Sequence, residues 1–286
     1  MGDEGAGKFG MSADDLVTAA RHAVRSPHLE PLGVHAFGAS NVLDPVAIAD
    51  HVRATVATAA DLARSVGFPL RLVDAGGGLG IPYGPGEEPL SMSGLGRALG
   101  DLAAGWAADP VTRGMRVLLE PGRYLVGPAG AYVSRVLDRK AVDGAIVAIL
   151  DGGIHHLLRP ALVRQAQRIE LLGDREGTPT GAVTIAGPLC SGLDVLTTRA
   201  EMHAPSPGDL VAVLDAGAYG YTESMPFFLS HPIPAEVAIL GGRAELIRPR
   251  IAPAEWLDRQ RVPAWAPRTG ASRERSADMG PVASLD

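Results

Sequence analysis

Glu120 and Arg123 stand three residues apart in "VLLEPGRYLVGPAG" (residues 117–130), where an apolar run ends in a Pro-Gly turn. An acid and a guanidinium at the tip of a strand suit an anionic cofactor. The carboxylate can hold a protonated ring nitrogen, and the guanidinium can hold a phosphate. A surface ion pair would use the same residues. Gly76, Gly77 and Gly78 in "DAGGGLGIPYGPG" directly follow a strand-like run. Glycines there let backbone N–H groups approach a phosphate. The alternative is an ordinary tight loop, and the run does not fit the dinucleotide-binding G-x-G-x-x-G pattern.

Other candidates are weaker one by one. "GVHAFGASN" offers His35, Phe37 and Ser40. Phe37 can stack on a flat ring or simply pack in a core, and Ser40 can bond a phosphate. "GPLCSGLD" holds Cys190, the single cysteine, with Ser191 beside it and Asp194 four residues on. A buried inert thiol is the usual case. "GAYGYTESMPFF" carries Tyr219 after a Gly-Ala turn, and "DGGIHHLLRPALV" carries His155, His156 and Arg159. Adjacent histidines without further ligand spacing are a poor metal site, so no metal is expected.

The elements that must position these residues change character along the chain. "MSADDLVTAARHAVRS" reads as a helix capped by Ser12. "DPVAIADHVRATVATAADLARSVG" reads as a longer helix, with Asp44 as cap, Pro45 at its first position and Gly67 past its end. "SMSGLGRALGDLAAGWAAD" is a third helix. "PLGVHAF", "PLRLVDAGGGLG" and "MRVLLEPG" are strands between them, so residues 1–125 alternate in the manner of parallel α/β structure. From about residue 126 the pattern becomes strand-like runs with turns: "AGAYVSRVLDRKAV", "GAIVAILDGG", "GAVTIAGPLC", "DLVAVLDAGA" and "AEVAILGGRAELIRPRI". Residues 126–251 therefore read as a mostly antiparallel β domain. Residues 252–286 read as a flexible tail with one short helix at "PAEWLDRQR".

Composition bounds the function. The 286 residues are 46% hydrophobic and only 5% aromatic, with a net charge of -6. That balance carries no polyanion-binding signature, so nucleic acid is not expected. A lone cysteine excludes an internal disulfide framework and points to a reducing, cytoplasmic setting. No apolar run reaches about 18 residues, so no membrane span is expected. Only two of the 26 basic residues are lysines, Lys8 and Lys140.

Taken in order, "HAFGAS", "DAGGGLGIPY", "EPGRYLVGPAG", "GPLCSGLDVL", "GDLVAVLDAGAYG" and "FLSHPIPAEV" resemble the C-terminal portion of the fold type III pyridoxal-phosphate-dependent decarboxylases. That family includes the diaminopimelate, ornithine and arginine decarboxylases. The resemblance runs from about Lys8 to Ile251 and is closest to the diaminopimelate-like branch of biosynthetic clusters, some of whose members act on carrier-bound substrates. It implies about the last three strands of a (β/α)8 barrel, then a β domain, in an oligomer with sites between subunits. It further implies pyridoxal 5'-phosphate, its phosphate cradled by Gly76, Gly77 and Gly78 with Ser40 and Tyr219. Glu120 would meet the pyridine nitrogen and Phe37 the ring face. Arg123 would lie near the phosphate or the substrate carboxylate. Arg159, Ser191 and Asp194 would line the substrate side, and Cys190 would reach the other subunit's site to protonate the carbanion.

Three departures qualify the resemblance. Phe37 stands where many members carry a second histidine, so stacking survives without an imidazole proton. Ser191 stands where the diamine and diaminopimelate enzymes carry an acid for a distal ammonium, and Val163 where a tyrosine follows R-P-A-L. Both argue against diaminopimelate or ornithine as substrate. The family also anchors its cofactor on an early barrel lysine, and neither Lys8 nor Lys140 matches it. The reading that follows is the C-terminal half of a decarboxylase whose partner chain brings the lysine and roughly five strands of the eight a barrel requires. The alternatives are a non-catalytic binding or regulatory subunit and a truncated remnant.

Overall fold

The computed structural model describes residues 8–173, 181–261 and 263–265. The chain divides into two compact units, Met1–Leu229 and Ser230–Asp286. Every candidate site residue lies in the first.

That unit opens with α1 (Ala13–Arg25), capped by the Ser12 side chain on the Asp15 N–H. Strand β1 (Gly33–His35) leads to α2 (Pro45–Val66). The Asp44 side chain caps α2 at the Val46 N–H, and Gly67 ends it at φ 87°, the left-handed conformation that suits glycine. Ile48, Val52, Val56, Ala59 and Ala63 recur at helical spacing and are all buried. They form the core of this half with Leu70 and Val73. Strand β2 (Leu72–Asp74), α3 (Met92–Ala108) and β3 (Arg116–Leu118) complete it. The three strands form one parallel sheet in the order β1-β2-β3, with His35, Asp74 and Leu118 level at its C-terminal edge.

After β3 the chain turns at Pro121 into a short helix, α4 (Gly122–Val126). Arg123 therefore sits on a helix, while Glu120 lies two residues past the end of β3. The β half follows: β4 (Tyr132–Val142), β5 (Ala145–Leu150), helix α5 (Arg159–Val163), β6 (Ile169–Leu171), β7 (Gly181–Ala186), β8 (Val195–Met202) and β9 (Leu210–Val213). Its six strands run in the order β6-β9-β4-β5-β7-β8. All neighbours are antiparallel except β5 and β7, which pair in parallel. The sheet curls into a nearly closed barrel, with contacts between its outer strands β6 and β8. Val136, Leu150, Ile154, Val183, Ile185 and Val211 fill it. His155 and His156 are buried there too, with ring centroids 3.8 Å apart.

In the second unit β10 (Glu236–Leu240) and β11 (Arg243–Arg248) form an antiparallel hairpin, followed by α6 (Pro253–Leu257). The expected short helix is therefore present. Residues 266–286 of the expected tail lie outside the described residues. No helix among the described residues is long and apolar enough to cross a membrane.

Candidate functional site

The site grows from the C-terminal edge of the three-stranded sheet. Asp74 closes β2, and its Oδ1 accepts the Gly76 N–H at 2.9 Å. The Gly76 carbonyl accepts the Glu120 N–H at 2.8 Å. The glycine run is thus tied on one side to its own strand and on the other to the β3 tip. It has no room for side chains. A Cβ on Gly76 would lie 2.8 Å from the Ala36 carbonyl oxygen and one on Gly77 2.6 Å from that of Glu120. Gly76 and Gly78 also hold positive φ, 68° and 102°. The loops after β1, β2 and β3 are therefore in backbone contact.

At the same edge His35 Nε2 lies 3.7 Å from Glu120 Oε2, with both side chains more than half exposed. Asp74 joins them: one ligand-type atom from each of the three lies within 4.8 Å of the others. Phe37 is exposed, and its ring edge would meet a Cβ on Gly76 at 3.3 Å.

Arg123 is the buried charge of the site, 6% exposed. Its Nη1 donates to Tyr83 Oη at 2.9 Å and its Nη2 to Ser40 Oγ at 3.1 Å. The guanidinium carbon also lies 4.6 Å from the Tyr219 ring centroid. Tyr219 comes from the β half and holds φ 53°, a left-handed conformation rare for a side-chain-bearing residue. On the same ring, Arg159 of α5 lies 4.6 Å from the centroid. Arg159 Nη1 donates to Glu223 Oε1 at 2.9 Å in a mostly buried pair. One ring thus joins the two halves of the unit and meets two guanidiniums.

The donor set fits a phosphate ester. Arg123 brings a buried positive charge whose partners are two neutral hydroxyls, and Ser40 presents a hydroxyl beside it. Among the described residues the Gly77 and Gly78 N–H groups bond no protein acceptor. Glu120 adds a half-exposed carboxylate at the adjoining tip. A flat anionic ring compound such as pyridoxal phosphate matches these features.

Among the described residues no hydrogen bond or ion pair links the thiol loop to Glu120 or Arg123. Cys190 is exposed. Ser191 Oγ accepts the Leu193 N–H at 3.2 Å. Asp194, which the resemblance implies for the substrate side, is held by backbone donors. It is 2% exposed, with Oδ1 accepting the Ile154 N–H at 2.8 Å and Oδ2 the Leu189 N–H at 2.7 Å. Gly153 and Gly187 press so close on its carboxylate that neither could carry a Cβ. Asp194 anchors the loop that presents Cys190.

Asp74, Tyr83 and Glu223 were not found by sequence reasoning. Asp74 had a signal, an acid at the last strand position before the glycines. Tyr83 lies 40 residues from the arginine it bonds and Glu223 lies 64 from its own, so neither had a local signal. Lys8 is exposed over the Phe9 ring, 4.9 Å from its centroid. Lys140 is exposed on β4, paired with Val147 of β5.

Comparison with known proteins gives the frame. The family described as pyridoxal-dependent decarboxylase, C-terminal sheet domain, matches residues 24–217. The L-glutamyl-[BtrI acyl-carrier protein] decarboxylase of Niallia circulans is 34% identical over 84% of this chain and 58% of its own length. The diaminopimelate decarboxylase of Archaeoglobus fulgidus is 32% identical over 90% of this chain and 60% of its own. The solved diaminopimelate decarboxylase of M. jannaschii, in complex with L-lysine, superposes with a TM-score of 0.81 at 26% identity. That match covers 90% of this chain and 58% of the solved one. The chain thus spans 58–60% of the length of these relatives.

Proposed function

Because the chain belongs to the pyridoxal-dependent decarboxylase family, we propose that it forms the C-terminal part of an amino-acid decarboxylase and carries most of the cofactor's pocket without its covalent anchor. The observation that carries this reading is the convergence of Gly76–Gly78, Glu120 and the part-buried Arg123–Ser40 pair at one sheet edge. Bound there, pyridoxal phosphate supplies an electron sink for the carbanion left when carbon dioxide departs.

The chain's own residues divide the work. Arg123, Ser40 and the Gly77 and Gly78 N–H groups bind the phosphate. The Glu120 carboxylate would accept a hydrogen bond from the pyridinium N–H and so keep the proton on the ring nitrogen. Phe37 covers one ring face and excludes water without offering a proton. Exposed Cys190, on its Asp194-anchored loop, serves the site of a second subunit, where Sγ–H returns a proton to the reacting carbon. The lysine comes from a partner chain that also pairs with the outer strands of the three-stranded sheet. Its need is supported by the positions of Lys8 and Lys140, neither on a strand tip of that sheet. Ser191 leaves no acid for a distal ammonium. A substrate presented on a carrier protein, as named for the Niallia relative, fits that gap.

Equilibrium binding separates this reading from a mere fold likeness. Pyridoxal phosphate is expected to bind the chain at least about tenfold more tightly than pyridoxal, because charge-assisted bonds to phosphate are worth roughly 1.5–3 kcal/mol. Equal affinity for the two would remove the phosphate site and the proposal with it.

A further inference from the structure

Asp74 and Glu120 bring two carboxylates to the C-terminal edge of the parallel sheet, and His35 sets an imidazole beside them. His35 Nε2 lies 3.7 Å from Glu120 Oε2, and one ligand-type atom from each of the three residues lies within 4.8 Å of the others. Among the described residues no arginine or lysine pairs with either carboxylate. Two like charges this close repel, and a bound cation relieves them. The backbone holds the three residues in place. His35 and Asp74 are level partners on neighbouring strands, and the Ala36 N–H donates to the Asp74 carbonyl at 2.9 Å. The Glu120 N–H donates to the Gly76 carbonyl at 2.8 Å. Asp74 Oδ1 accepts the Gly76 N–H, which fixes that carboxylate and leaves Oδ2 for a ligand.

We infer that the chain, when free of cofactor, binds one divalent transition-metal ion through His35 Nε2, Asp74 and Glu120. The donor set selects the class of ion. One imidazole with two carboxylates suits zinc and its first-row neighbours, whereas magnesium and calcium favour all-oxygen sites. The spacing is close to what an ion needs. Donor atoms about 2.0–2.2 Å from a tetrahedral ion stand roughly 3.4 Å from one another. The His35–Glu120 separation of 3.7 Å is near that value. Both of these side chains are more than half exposed, so they can turn inward, and water can complete the ion's shell. Asp74 is the fixed point against which they close. The inference goes beyond the decarboxylase reading and does not rest on it, since Glu120 is open to an ion whenever no ring nitrogen occupies it.

Zinc chloride titrated calorimetrically into the chelator-treated full chain is expected to show one ion per chain, with a dissociation constant of about 100 µM or tighter. Magnesium should bind at least about tenfold more weakly. His35→Ala, Asp74→Asn and Glu120→Gln should each weaken zinc by at least about tenfold, since losing even an outer-shell partner costs that much. All three should fold. His35 and Glu120 are exposed side chains, and the amide oxygen of the Asp74→Asn variant still accepts the Gly76 N–H. Cys190→Ser tests the exposed thiol as a rival ligand and should leave the affinity unchanged. Zinc binding weaker than about 100 µM, or magnesium binding as tight as zinc, overturns the inference. So does an unchanged zinc affinity in any one of the three variants, or a loss in Cys190→Ser, either of which leaves an adventitious ion only. Pyridoxal phosphate binding, measured separately without metal, decides the decarboxylase reading, so each can fail while the other stands.

Discussion

Arg123→Leu is expected to weaken pyridoxal phosphate binding by about tenfold to a hundredfold, the loss of one or two charge-assisted bonds to a phosphate. The same change should leave the affinity for pyridoxal nearly unaltered. The contrast matters because Arg123 is buried and has structural partners. Its removal leaves the hydroxyls of Tyr83 and Ser40 without their donor and takes a cation from the Tyr219 ring. A purely structural loss would lower both affinities together. Arg123→Lys provides the finer control. It keeps the charge but cannot reach Tyr83 and Ser40 at once as a planar fork does. Partial recovery of phosphate binding would assign the effect to charge, and no recovery would assign it to geometry. Equilibrium dialysis against both ligands reads all of these outcomes.

Asp194→Ala should be the most damaging single change in the β half, costing about 2–6 kcal/mol in folding stability. That figure is the sum of two buried N–H groups, of Ile154 and Leu189, left unsatisfied at roughly 1–3 kcal/mol each. Gly153 and Gly187 fit closely around the lost carboxylate, so a cavity adds to the cost. Asp194→Asn should fall between, since its amide nitrogen cannot accept the second N–H. Urea denaturation followed by tryptophan fluorescence and circular dichroism measures both. A change within the range of ordinary surface substitutions, about 0.5 kcal/mol, would contradict the anchoring role.

These two residues also show what was legible beforehand. The first half could be read because its signals are local. Ser12, Asp44 with Pro45, and Gly67 mark helix ends by backbone chemistry that acts within four residues, and the buried stripe of α2 repeats at helical spacing. The glycine run and Glu120 were legible because a strand tip followed by small residues is itself a local pattern. Three elements of the β half were not. Strand β6 is only three residues long. Strand β8, "VLTTRAEM", buries Leu196, Ala200 and Met202 on one face, but Thr198 breaks the apolar alternation and register shifts interrupt its pairing with β7. Helix α5 has one turn and no side-chain cap. The family resemblance alone puts Asp194 on the substrate side. Its true partners are backbone amides 5 and 40 residues away, and no sequence pattern announces them. Arg123 reaches Ser40 across 83 residues, so the buried phosphate-type donor set exists only in the fold.

The central claim is that this chain holds the pocket and not the anchor. The direct test is to saturate the chain with pyridoxal phosphate, reduce with borohydride and record the intact mass. The account predicts reversible uptake of the cofactor and no stoichiometric covalent adduct, because a reducible bond needs an amine at the site. A single adduct on every chain, mapped to Lys8 or Lys140, would contradict it and make these 286 residues a self-sufficient cofactor site.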